Sequence, residues 1–163
     1  MNIYKKIFLL LIIVNFIQSQ VSIGGTPKSV LNDIEQINQS IKLPKVDRDA
    51  LLLEDEIEQM DKSIPFRFGK AFEVNYNLNN SGEWIETDLG RIWRLAITSE
   101  SAYSMNLLYD KFILPDGGEM FVYDAEMQTV LGAFTSANNK NHQTFSTAPT
   151  KGPITIIEYF EPY

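Results

Sequence analysis

The chain has 163 residues, no cysteine and a formal net charge of −7. That length holds one hydrophobic core rather than two full domains, and without disulfides its stability rests on burial. An acidic balance argues against nucleic acid, whose phosphates recruit Lys and Arg, and against an anionic membrane surface.

Residues 1–19 read as a secretory signal peptide. Lys5 and Lys6 begin it, Ile7 to Ile17 is apolar apart from Asn15, and Gln18-Ser19 leads into the polar Gln20-Val21-Ser22, which places cleavage between Ser19 and Gln20. The apolar run is shorter than the ~20 residues that span a bilayer, so the expectation is a periplasmic or extracellular protein with no membrane anchor after cleavage. Loss of Lys5 and Lys6 takes the formal net charge from −7 to −9.

Residues 20–65 read as an amino-terminal arm, partly helical or extended. Gly24-Gly25-Thr26-Pro27, Leu43-Pro44 and Ser63-Ile64-Pro65 are breakers. Val30, Ile34, Ile37 and Ile41 recur at three- and four-residue spacing, which predicts a short helix; a second helix is predicted from a cap at Asp49, with apolar Leu52, Leu53, Ile57 and Met60 and with Glu54, Asp55, Glu56, Glu58 and Asp61 facing water.

Residues 66–163 change to strands and turns. Phe72, Val74, Tyr76 and Leu78 alternate with Glu73, Asn75 and Asn77, the period of a half-buried strand. Further strands are predicted at Glu83 to Thr87, Arg91 to Thr98, Tyr103 to Tyr109, Glu119 to Tyr123, Thr129 to Phe134 and Ile154 to Phe160, separated by turns such as Asp116-Gly117-Gly118. With no long helical pattern available for parallel crossovers, the expectation is an all-β, antiparallel β-sandwich of jelly-roll type. Trp93, Leu95 and Ile97 share one strand face, and the predicted core comprises Trp93, Phe72, Tyr123, Phe134 and Tyr159. Trp84, near a strand start, has two readings: core, or an aromatic platform for a sugar or a partner protein.

Intrinsic chemistry is sparse. A serine nucleophile needs an oriented base, and the one histidine, His142, lies in the polar stretch Asn138 to Gln143; no Gly-x-Ser-x-Gly elbow occurs. One histidine and no cysteine do not furnish a zinc shell, and Asp47, Asp49, Glu54, Asp55 and Glu56 lack the spacing of a calcium loop. No catalytic residue, metal or cofactor is therefore expected, although spacing does not exclude a carboxylate pair assembled from distant strands.

Several motifs occur together in order: Gly24-Gly25-Thr26-Pro27-Lys28-Ser29, Phe66-Arg67-Phe68-Gly69, Ser81-Gly82-Glu83-Trp84, Ile92-Trp93-Arg94-Leu95, Ala102-Tyr103-Ser104, Leu114-Pro115-Asp116-Gly117, Gly132-Ala133-Phe134-Thr135 and Ile157-Glu158-Tyr159-Phe160-Glu161-Pro162. The series resembles the amino-terminal propeptide and β-rich region of secreted bacterial trypsin-like serine endopeptidases of the lysyl-endopeptidase type. The resemblance implies an exported parent that cleaves peptide bonds, often after lysine. The Ala-Ala-His-type and Gly-Asp-Ser-Gly-Gly segments of that family's protease region have no counterpart up to Tyr163. No catalytic residue carries over, and the resemblance implies a fragment or truncated product. The expected role is to assist folding of, or to restrain, a downstream protease domain. The alternatives are an adhesion or carbohydrate-binding sandwich and an enzyme with its own carboxylate pair.

Overall fold

In the computed structural model, residues 22–163 are described. The leader and its Ser19–Gln20 bond lie outside the described residues. The fold is β-rich, and its centre is a sheet covered on both faces.

The sheet's spine is β3 (Gly90–Thr98), β10 (Ile154–Pro162), β6 (Glu119–Asp124) and β7 (Val130–Phe134), antiparallel in that order. β2 (Glu83–Thr87) forms a hairpin with the first half of β3, while β1 (Ser40–Lys42) lies beside its second half. β1 runs parallel to β3, Ser40 opposite Ala96 and Lys42 opposite Thr98, so the sheet is mixed rather than purely antiparallel. The crossover that such a pairing demands is the long connection 43–89, which carries a helix of its own.

The first face buries Trp93, Leu95, Ile97, Met120, Val122, Phe134, Ile157 and Tyr159 in one cluster with Phe112, Leu114 and Phe145 from the layer above. In that layer are two short ribbons, β4 (Ser104–Met105) with β9 (Thr150–Lys151) and β5 (Leu108–Tyr109) with β8 (Phe145–Ser146). The strand expected over Tyr103 to Tyr109 is thus split, its halves pairing with different partners. The second face buries Ala96, Phe121, Tyr123, Ala133 and Ile156.

A strap made of residues 22–39, leading into β1, covers that second face. Ile23 donates to the Ala133 carbonyl (3.2 Å) and Ala133 donates to Gly24 (3.1 Å), which pairs the strap with the β7 edge. The chain then passes over Phe121, buries Pro27 and makes the four-residue helix α1 (Lys28–Leu31). Lys28 meets Glu119 at 3.1 Å and lies over the Phe160 ring. The helix predicted through Ile41 does not continue. After Asn32 the chain reverses at Asp33, whose φ is 51°, the Arg94 guanidinium captures the Glu35 carbonyl (2.8 Å), and Ile37 packs on the second face. Tertiary bonds here override an apolar spacing that suits a helix.

The strand expected at Phe72 to Leu78 is also absent. This segment forms no ladder: the Asn75 carbonyl accepts from the Asn80 side chain (2.9 Å), and the Asn77 amide donates to Asn80 and to Ser81 Oγ. Its backbone bonds close a local turn instead of a ladder. Tyr76 reaches the first core cluster, but Phe72 is only half-buried and lies outside both clusters, contrary to its expected core role. Trp93, Tyr123, Phe134 and Tyr159 are buried.

Glycine matters at two turns. At Gly117, φ is 78° and the Gly118 amide donates to Pro115 (3.0 Å), closing the turn before β6. At Gly82 (φ 74°), a Cβ would stand 2.5 Å from the Arg94 carbonyl and 2.7 Å from the Trp93 indole, a space that only glycine fits.

Candidate functional surface

Helix α2 (Arg48–Glu58) starts where the Asp47 side chain accepts from the Ala50 amide (3.0 Å). The cap is Asp47 rather than the expected Asp49, which sits in the first turn, where its charge favours the helix dipole. Leu53, Ile57 and, just beyond the helix, Met60 follow the i, i+4, i+7 spacing of a helix stripe.

That stripe faces water. No residue of α2 is buried; Leu53 is 61 % exposed, Ile57 65 % and Met60 86 %. The acidic side is the covered one. Arg67 folds back over it, meeting Glu54 at 3.0 Å, Asp55 at 3.1 Å and Glu58 at 3.4 Å, and the bond to Glu54 raises the guanidinium pKa further. Partly solvated pairs of this kind contribute little stability each, but together they fix the returning segment against the helix. Phe66 and Phe68 flank Arg67, ring centroids 5.7 Å apart and edge-on, and Phe68 is 97 % exposed. The lobe therefore shows solvent an apolar stripe and two aromatic rings, while three of its carboxylates pair with Arg67. Phe66 lies with Asp55 and Glu58 on the Arg67 side, so the rings and the stripe are two exposed apolar features of one lobe, and exposed apolar surface on a folded protein marks an interaction site.

Trp84 is half-buried against the first core cluster. Its indole N–H donates to Leu78 (3.1 Å), its edge meets Tyr159, and the Arg91 guanidinium lies 4.2 Å over its ring. One face of a would-be sugar platform is thereby occupied.

His142 is exposed. Its Nδ1 accepts from the Thr144 amide (3.2 Å) and lies 2.7 Å from the Thr144 hydroxyl. An Nδ1 lone pair engaged by an amide N–H leaves the ring proton on Nε2, so the imidazole offers a donor outward. Although its sequence neighbours are polar, the fold supplies an apolar wall: Leu108, Tyr109 and Phe145 border the same concavity, of about 470 Å³, together with Lys140, Thr144 and Ser146. Sequence reasoning missed this wall because β5 and β8 bring it from residues that are distant in the chain or hidden in a two-residue strand.

A carboxylate–hydroxyl cluster lies within the sheet's second face. Glu158 is fully buried and accepts from the Ser29 amide (3.0 Å), the Ser29 hydroxyl and the Tyr123 hydroxyl (3.0 Å). Burial, then the Glu158 charge, pushes the Tyr123 pKa up, which keeps that hydroxyl a donor. Arg94, opposite Glu158 in the β3–β10 register, spends its guanidinium on Glu83 (2.7 Å) and Glu35. The cluster is sealed beneath the strap and acts as a latch.

Among the described residues no group of three or more His, Asp or Glu is placed to hold a metal ion, and no helix is long and apolar enough to cross a membrane. No family model matches the chain, and no solved structure matches it at a significant level.

Proposed function

We propose that this chain is the non-catalytic amino-terminal pro-region of a secreted serine endopeptidase of the lysyl-endopeptidase type, and that it assists folding of the downstream protease domain or restrains it. The finer reading of the β-rich fold as a jelly-roll-type sandwich, and export by a leader cleaved after Ser19, belong to the same proposal. The ordered motif series from Gly24 to Pro162 supports it. The observation that carries it is the outward apolar stripe of α2, on a lobe that also exposes Phe66 and Phe68. Burying a side chain of the Leu, Ile or Phe size against a partner contributes about 1.5–3 kcal/mol each, and a surface that binds only the native protease domain stabilises that domain by mass action. The carbohydrate-binding alternative has less support, because Arg91 covers one face of Trp84.

The test is co-expression of a lysyl-endopeptidase-type catalytic domain with the chain supplied in trans. Active protease is expected to rise several-fold with the wild-type chain and not with Leu53→Glu/Ile57→Glu. Because these positions touch solvent, the variant's own unfolding free energy is expected to stay within about 0.5 kcal/mol of wild type. A catalytic domain that folds and activates equally well with and without residues 20–163 contradicts the proposal.

A further inference from the structure

We propose that the concavity over the β5–β8 ribbon binds a small carboxylate carried on an apolar body, the chemistry presented by a free peptide C-terminus. This site is separate from the α2 surface and does not depend on the pro-region reading.

Its floor is rigid. Phe145 is buried, stacks on Phe112 with centroids 4.2 Å apart and meets Phe134 edge-on at 4.9 Å, while Tyr109 closes against both Phe112 and Phe145 at about 6 Å. Leu108, 78 % exposed, extends the apolar surface at the mouth. A pre-formed hydrophobic base with a few convergent polar groups is the usual construction of a small-ligand site, and the volume of about 470 Å³ falls in the range such sites occupy.

The rim selects the charge. Lys140 and His142 are the ionisable groups beside Tyr109, and no carboxylate lines the concavity, in a protein whose formal net charge is −7. Lys140 makes no ion pair among the described residues. The Thr144 amide donates to Nδ1, so the ring's N–H is on Nε2 and points its donor capacity away from Thr144. A carboxylate placed here accepts from Lys140 Nζ and from His142 Nε2–H, two charge-assisted or oriented bonds, while its apolar body rests on Leu108 and Phe145.

The experiment titrates the protein with N-acetylphenylalanine, its amide, a short peptide ending in phenylalanine with free or amidated terminus, and inorganic phosphate, following the amide resonances of Leu108, Tyr109, Thr144 and Phe145. Saturable shifts at these four residues are expected with the free acids, and binding about tenfold or more weaker with the amides, since a hydrogen bond to a charged group is at stake. A free-acid peptide binding more tightly than N-acetylphenylalanine assigns the site to peptide ends; equal binding assigns it to small organic acids. Lys140→Gln and His142→Leu are each expected to weaken binding about tenfold while leaving the unfolding transition in place. Amides binding as well as acids, phosphate binding as well as N-acetylphenylalanine, or no saturable shift at these residues would overturn the proposal.

Discussion

Trp93→Ala is expected to lower the unfolding free energy by about 3–5 kcal/mol, a large share of a single domain's margin. The indole is 4 % exposed at the middle of the first face, flanked in register by Trp84 on β2 and Tyr159 on β10. Truncation removes its apolar contacts and leaves a cavity beneath the ribbons. It also removes the N–H that donates to the Ser81 carbonyl (2.8 Å), the bond that docks the Asn77–Gly82 turn on the sheet. The same ring, with the Arg94 carbonyl, leaves Gly82 no room for a side chain. Urea denaturation measures the effect as a lower midpoint at an unchanged slope. A loss below about 1 kcal/mol would mean that Trp93 is not a core residue.

Glu158→Ala is expected to cost about 3 kcal/mol or more, for a different reason. The substitution takes away little apolar contact but strands three donors, the Ser29 amide, the Ser29 hydroxyl and the Tyr123 hydroxyl, in a site closed to water. Each buried donor left unpaired costs about 1–3 kcal/mol. Glu158→Gln keeps an acceptor oxygen and is expected to fall between the two. Since Ser29 belongs to the strap, both variants should also expose residues 22–39 to limited proteolysis before the sheet itself melts, whereas Trp93→Ala should melt strap and sheet together. Stability within 1 kcal/mol of wild type for Glu158→Ala would show that the cluster does not latch the strap.

These two residues also show what was legible in the sequence. Trp93 was readable as core because β3 alternates and its partners alternate in the same phase. Glu158 was not, because a glutamate between Ile157 and Tyr159 reads as the wet side of a strand; only the strap, arriving from more than a hundred residues away, turns that side into an interior. The same cause explains why Arg94 is buried and why Ile37 and Ile41 serve the sheet rather than a helix. Phe72 to Leu78 failed in the opposite sense. Its alternation is regular, yet Asn80 and Ser81 satisfy its backbone locally and no strand lies alongside.

The candidate surface was half legible. The sequence placed the cap of α2 at Asp49, two residues late, and named its apolar positions, but periodicity carries no information on which side a helix turns to its own domain. Here Arg67, from the returning segment, pairs with Glu54, Asp55 and Glu58 and leaves the apolar positions to solvent. The concavity at His142 was not legible, since its own stretch Asn138 to Gln143 is polar and the aromatic floor comes from residues distant in the chain.

Amide hydrogen exchange of the chain alone and in the presence of a lysyl-endopeptidase-type catalytic domain tests the central claim most directly. Added catalytic domain is expected to slow exchange across Arg48–Glu58 and residues 60–68, where the outward apolar stripe and Phe66 and Phe68 lie. Unchanged exchange in that lobe, or protection confined to the sheet and its ribbons, would contradict the account.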